Sequence, residues 1–196
     1  MPRPRQFDEE RTLSAARAAF WDHGYAGTSL ETLLAATGLG KGSLYGAFGD
    51  KQRLFLRVLR EYDEANDRML RERLDRAERG IEVIRDFVDG FARDPSGEAT
   101  RRGCLLANTA VELSASTPEV AAEARRSYAA TVALLADAVR RAQREGDVAT
   151  RVDPVETARA VLAGQLGLLV LGRVGQDPAA LSAMAATLLD RLLPAP

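Results

Sequence analysis

The sequence predicts an all-α protein, on three observations. Apolar residues recur at helical spacing along nearly all 196 residues, and no short segment sustains the apolar–polar alternation of a strand. Three Asp-Pro or Thr-Pro pairs also stand where helices should begin. A chain of this length is expected to form one body, or one body with a small appended module, and is long enough for a sizeable core.

Taken in order, Phe7-Asp8 opens a first helix of about 8–23, with Asp8 as N-cap, Leu13, Ala16 and Phe20 on one face, and Gly24 as its stop. Thr28-Ser29-Leu30-Glu31 has the form of a capping box, a hydroxyl at N-cap and a carboxylate at N3, before a helix of about 29–37 ended by Gly38. After Gly38-Leu39-Gly40, a third helix of about 41–47 carries Lys41, Ser43, Leu44 and Tyr45. Asp50 caps a long fourth helix whose stripe runs Leu54, Val58, Tyr62, Ala65, Met69. Beyond Gly80, helices are expected over about 81–93, 103–115, 118–145, 154–174 and 178–193, nine in all. Thr117-Pro118, Asp153-Pro154 and Asp177-Pro178 fix three of these starts, because Pro at N1 lacks only an N–H that has no helical partner. Asp94 to Gly103 forms the one long connection. The expected division is a small unit of short helices over 6–60 and a larger helical unit over 61–196.

Composition closes several functional classes. One Cys excludes an internal disulfide, and with one His it cannot supply a tetrahedral zinc site, so no metal and no cofactor is expected. The same scarcity, with no phosphate-cradling glycine loop, leaves no convergent catalytic set, and no enzyme is expected. The start MPRPRQFDEERT lacks the apolar run of a secretory signal. The longest apolar stretch, Ala160 to Gly172, is interrupted by Gln165 and falls short of the roughly 18–20 residues of a membrane span. A cytoplasmic protein without membrane contact is expected.

Two short helices joined by a tight glycine-containing turn, behind a buttressing helix, make the helix-turn-helix plan, whose second helix enters the DNA major groove. Charge agrees. The formal net charge of -1 divides into nine basic against six acidic residues over 1–60, and 18 against 22 in the remainder. Of 27 basic residues only Lys41 and Lys51 are lysines, and they bracket the third helix. Lys51, beside the free N–H groups opening helix four, suits a phosphate oxygen.

Phe20, Gly24-Tyr25, Thr28-Ser29 and the run Leu33 to Lys51 (LLAATGLGKGSLYGAFGDK) together resemble the N-terminal domain of the tetracycline-repressor (TetR) family, over residues 7–60. The helices that follow resemble the family in architecture alone. The resemblance implies a homodimeric, ligand-responsive transcriptional regulator, a repressor that leaves a palindromic operator when a small-molecule effector occupies the helical body. It implies that Thr28 caps helix two toward the phosphate backbone, Lys41 and Ser43 meet phosphate or base edges, Tyr45 touches phosphate and Lys51 clamps the backbone. Leu44 and Phe48 would hold the reading helix in place. Gly40 stands where the family commonly has Ser, and Ala47 where an aromatic or His is common. With Gly46 they leave few long side chains for base readout, so specificity is expected from Lys41, the Gly42 backbone, Ser43 and DNA shape.

In the body, Cys104, Asn108 and Glu112 follow an i, i+4, i+8 spacing. Cys104 is a candidate member of the effector pocket, with Asn108 and Glu112 as its polar anchors and Phe87, Phe91, Tyr128 and Gln165 as walls; the alternative is a helix edge facing solvent. Cys104 has two readings. Arg101, Arg102 and a helix N-terminus could lower its pKa and make it an oxidant or electrophile sensor, or it is inert filler. The stripes Val161, Leu162, Leu166, Leu169, Val170 and Leu181, Met184, Leu188, Leu192 read alone as the protomer's core, but by resemblance as the four-helix homodimer interface. Two reading heads fit half-sites about 34–36 Å apart. A helical protein-binding scaffold is the remaining alternative.

Overall fold

Side-chain caps place most of the helix starts. In the computed structural model, which describes residues 7–90 and 97–196, Asp8, Ser29, Asp50, Asp153 and Asp177 each accept a hydrogen bond from a first-turn N–H. The helices are α1 (Glu9–Gly27), α2 (Leu30–Thr37), α3 (Lys41–Phe48), α4 (Lys51–Arg76), α5 (Gly80–Asp89), α6 (Glu98–Arg102), α7 (Leu105–Leu113), α8 (Pro118–Arg144), α9 (Pro154–Arg173) and α10 (Pro178–Leu192), with no strand among the described residues. The nine expected helices are present, the one expected over 81–93 ending at Asp89 with residues 91–93 outside the described residues, and the five-residue α6 is added inside the expected 94–103 connection.

Three local expectations need correction. The cap of α2 is Ser29, because the Thr28 hydroxyl donates instead to Gly24 O at 2.6 Å and Ala19 O at 3.3 Å. Thr117 opens α8 with no side-chain hydrogen bond. The expected helix of 103–115 begins only at Leu105, since Cys104 is extended and its sulfur accepts from Ala107 N–H as the N-cap.

Two hydrophobic clusters result. The first joins Leu13, Phe20, Leu33, Leu44, Leu54, Phe55 and Val58 of α1–α4 with Leu105 and Leu106 of α7 and Val120 and Ala124 of α8. The second gathers α5, α8, α9 and α10 around residues such as Ile84, Leu135, Val139, Val161 and Leu181, and α4 adds Leu70. Cys104 and Tyr128 pack against both. The expected boundary at residue 60 leaves the second cluster whole on its C-terminal side, whereas the first draws on both sides of it, because α7 and the start of α8 complete the head's own hydrophobic interior. On α4 the expected stripe holds at Leu54 and Val58, but Met69 is 47% exposed and Leu70 is buried in its place. A period of 3.6 residues carries the buried face around the helix over this length.

The α4–α5 turn is pinned by Arg141 of α8, whose guanidinium donates to the carbonyls of Leu74 (3.0 Å), Ala77 (2.9 Å) and Glu78 (2.7 Å). Glu145 accepts from Arg141 Nε at 2.8 Å and from Gly80 N–H at 2.7 Å. A Cβ at Gly80 would stand 2.5 Å from Ala138 O and 2.7 Å from Ala142 N, both backbone atoms of α8. Gly80→Ala should therefore cost about 1–3 kcal/mol through overpacking, read as a lowered urea midpoint at constant slope. Gly46→Ala, where an added Cβ meets nothing within 4 Å, should gain about 0.5–1 kcal/mol. Equal shifts for the two would remove close packing as the cause.

Candidate nucleic-acid interface and effector cavity

The turn between α2 and α3 leaves the start of α3 open. Its N-cap, Gly40, makes no side-chain hydrogen bond, and Lys41, Gly42 and Ser43 are all exposed in the first turn. Leu44 is fully buried and Phe48 packs against Phe7 at 6.1 Å between centroids, so the same short helix is anchored from behind. Tyr45 is half-buried against the head's core. Lys51 is the first residue of α4, and its Nζ lies 4.4 Å from the centroid of the Tyr25 ring, a cation–π contact. That ring packs in turn on Phe55 at 4.8 Å and Phe20 at 6.2 Å. Lys41, Gly42, Ser43 and Lys51 are thus surface groups on a rigid support. Thr28 is not: its side chain is buried and hydrogen-bonded back to α1, which corrects the expectation that it reaches toward phosphate.

The head is tied to the body beside Gly24. There φ is +71°, the α1 ladder breaks, and the freed N–H groups of Tyr25 and Ala26 donate to the Glu112 carboxylate at 3.1 and 2.8 Å. A Cβ at Gly24 would sit 2.9 Å from Glu112 Oε2, so both the dihedral and the close approach require glycine. Next to this contact, Trp21 Nε1 donates to Arg102 O at 3.2 Å, and Arg102 pairs with Asp22 at 2.9 Å. Asn108 Nδ2 donates to the same Arg102 carbonyl at 2.9 Å and braces the α6–α7 turn. Neither Asn108 nor Glu112 lines the cavity described next. Both expected anchors hold backbone instead, because the α7 face carrying them is turned to α1 and α6.

A cavity of ≈ 300 Å³ lies between α4, α5, α7, α8 and α9, with Trp21 of α1 at its edge. Of the residues expected around an effector pocket, Phe87, Cys104, Tyr128 and Gln165 line this cavity, whereas Phe91 lies outside the described residues. Sequence reasoning missed Trp21, Tyr62, Asp63, Asn66, Ser127 and Thr131, most of them on α4 and α8. Their signal was weak: Tyr62 read as core, in the apolar stripe of the fourth helix. A larger concavity, ≈ 660 Å³, is an open groove between α8 and α9 whose charged residues Asp137, Arg140 and Arg159 accompany a mainly aliphatic lining.

Burial sets the titration of the cavity wall. It raises the Cys104 thiol above its ordinary pKa, opposite to the expected lowering. The reason is geometric: the Arg102 guanidinium is engaged by Asp22 and Glu98, while the sulfur faces Tyr62 Oη at 3.9 Å. Burial also pushes Tyr128 up to about 12, with Cys104 and Asp63 adding to the effect.

Of the expected interface residues, Leu162, Leu169 and Leu181 are buried within the protomer and belong to its core. Leu166, Leu188 and Leu192 are half-buried against that core. Val170 and Met184 remain outward at 54% and 41% exposure, joined by Leu171 and by Val174 at 76%. One more expectation changes here: α9 is long and apolar enough by length and composition alone to cross a membrane. Gln165 does not shorten its apolar window as the sequence suggested. One face of α9 nonetheless packs into the second cluster, through Val161, Leu162, Leu168 and Leu169.

A short uncapped helix over an anchored turn, with basic groups at its start and a helical body enclosing a cavity, defines a helix-turn-helix DNA-binding regulator. The chain matches the model of the bacterial regulatory proteins of the tetR family over residues 13–58 and that of the tetracyclin repressor-like C-terminal domain over 80–188. It belongs to the TetR family of transcriptional regulators. It is 36% identical over 124 residues to the regulator YezE of Bacillus subtilis, a match spanning 62% of each chain and so less than two thirds of that relative. It is 28% identical over 193 residues to the repressor ComR of Escherichia coli, covering 98% of this chain and 91% of that one. A cysteine-substituted CifR, a TetR family regulator solved with 26-bp operator DNA, is 31% identical with a TM-score of 0.77, covering 98% and 100%. A regulator from Cytophaga hutchinsonii shares the fold at a TM-score of 0.84, with 21% identity over 93% and 92% of the two chains.

Two outcomes test these contacts. Lys51→Ala should weaken binding to all DNA sequences alike and flatten the log K against log salt slope by roughly 0.9; an unchanged slope would show that Lys51 meets no phosphate. Glu112→Ala should speed hydrogen exchange of the Tyr25 and Ala26 amides about 5-fold, the equivalent of about 1 kcal/mol, while α8 core amides keep their protection. Unaltered exchange at both amides would mean that the carboxylate does not hold them in solution.

Proposed function

We propose that this protein is a homodimeric repressor that binds a palindromic operator through the start of α3 and the start of α4, and leaves it when a small molecule fills the cavity. The observation that carries this reading is the cavity's position at the seam between the two hydrophobic clusters, where Cys104 and Tyr128 touch both. A ligand there meets the head's own packing directly. The CifR complex with operator DNA and the repressor ComR support the DNA-binding half of the reading.

On the DNA, Lys41, Ser43, Tyr45 and Lys51 supply contacts, and the side-chain-free Gly42 allows the backbone close to the duplex. Val170, Val174 and Met184 form the centre of the face that meets the second copy, since water otherwise covers large apolar side chains on α9 and α10. The site of action is the cytoplasm. Release requires that the effector bind the released conformation more tightly, because equal affinity for both states shifts nothing. Cys104 is a wall of the cavity in this reading, and the raised thiol pKa works against the oxidant-sensing alternative.

A duplex of about 30 bp bearing the inverted repeat upstream of the protein's own gene tests the reading by fluorescence anisotropy. Two protomers should bind per repeat, roughly 10³-fold tighter than to scrambled DNA, and peroxide should leave wild type and Cys104→Ser equally bound. Binding no tighter than to scrambled DNA would overturn the repressor assignment. Release by peroxide that Cys104→Ser abolishes would restore the sensor.

A further inference from the structure

The cavity's polar groups are not distributed evenly. Three formal charges line it, Asp63, Asp86 and Arg73. Arg73 is an exposed residue, and one of its Nη atoms contacts the sulfur of Met69 at 3.7 Å, so its charge sits at the solvent side. Asp63 differs. It projects from the middle of α4, and its bonded partner is the buried Ser127 hydroxyl of α8. No Lys, Arg or His nitrogen lies within ion-pairing distance of its carboxylate among the described residues. The nearby cations are engaged elsewhere: Arg60 and Arg126 both hold the buried Glu123, and Arg71 holds Asp67.

Around this carboxylate the wall is aromatic and neutral. Tyr62 precedes it on α4, Tyr128 follows Ser127 on α8, and Trp21 and Phe87 complete four rings. Asn66, Thr131 and Gln165 add polar groups without charge. Burial lifts the Asp63 pKa, with Glu123 and Asp67 adding to it and the Ser127 hydrogen bond and Arg126 opposing, so the carboxylate holds its negative charge at a cost that a cation beside it would relieve. Aromatic faces attract a cation as well.

We infer that the effector is a lipophilic amine whose ammonium group pairs with Asp63 and whose apolar body lies among Trp21, Tyr62, Phe87 and Tyr128. This rests on the reading of the cavity as the effector site and names the chemistry that site selects. Ser127 then orients the carboxylate.

Three probes of one framework and three charges test it: 4-phenylbutylamine, 4-phenylbutan-1-ol and 4-phenylbutyrate, titrated into the full-length protein by calorimetry at neutral pH. The amine should bind about 10- to 100-fold tighter than the alcohol, and the carboxylate weakest. Asp63→Asn, which keeps the shape and the Ser127 contact, should bring amine and alcohol to similar affinity. The wild-type ranking decides the matter even if that variant folds poorly. Alcohol or carboxylate binding as tightly as the amine, or an amine preference undiminished in folded Asp63→Asn, overturns the amine assignment and leaves a ligand cavity in place. Failure of all three to bind overturns it together with the reading of the cavity as an effector site.

Discussion

The molecule depends on α4 belonging to two hydrophobic interiors at once. Its first turns bury Leu54, Phe55, Val58 and Leu59 in the head, and its later turns bury Leu70 in the body. At 1.5 Å per residue its 26 residues span about 39 Å, with no break in the helix between the two cores. Asp50 and Lys51 stand at one end, and the Arg141 guanidinium grips the carbonyls at the other. The basic end and the body end of the molecule are thus carried on one uninterrupted helix.

The second constraint is that α7 sits in the body by sequence and in the head by packing. Leu105 and Leu106 complete the head's core, Glu112 holds the backbone after Gly24, and the Arg102 carbonyl receives Trp21. From Glu112 the path continues through Tyr25, whose ring carries Lys51 on its face. The cavity opens against the same elements, at Gly103, Cys104 and Trp21. Close-packed interiors do not deform continuously, so filling a space between two of them favours a discrete rearrangement of one against the other.

Much of this was legible in the chain. Caps are local chemistry, so Asp8, Asp50, Asp153 and Asp177 gave their helices away, and the two lysines marked a segment that the fold leaves on the surface. The pocket was only half legible. Phe87, Cys104, Tyr128 and Gln165 were reachable from helical spacing, but Asn108 and Glu112 were equally polar and equally spaced, and they face α6 and α1 instead. Periodicity fixes which residues share a face and says nothing of what that face meets. Leu181, a core residue by spacing alone and an interface residue by family resemblance, is buried in the protomer's core.

What the sequence determined by itself was every described helix but the five-residue α6, the tight turn between the second and third, and the opposite net charge of the head and the remainder. All of these arise from interactions within a few residues or from composition. Only the tertiary structure decided that one carboxylate, Glu112, staples head to body while another, Asp63, lines a cavity and, among the described residues, has no Lys, Arg or His nitrogen within ion-pairing distance. It likewise decided that the lone thiol is raised rather than lowered in pKa. Each of those outcomes depends on which groups from distant segments come within a few ångströms and how much water they exclude, and neither spacing nor composition encodes that.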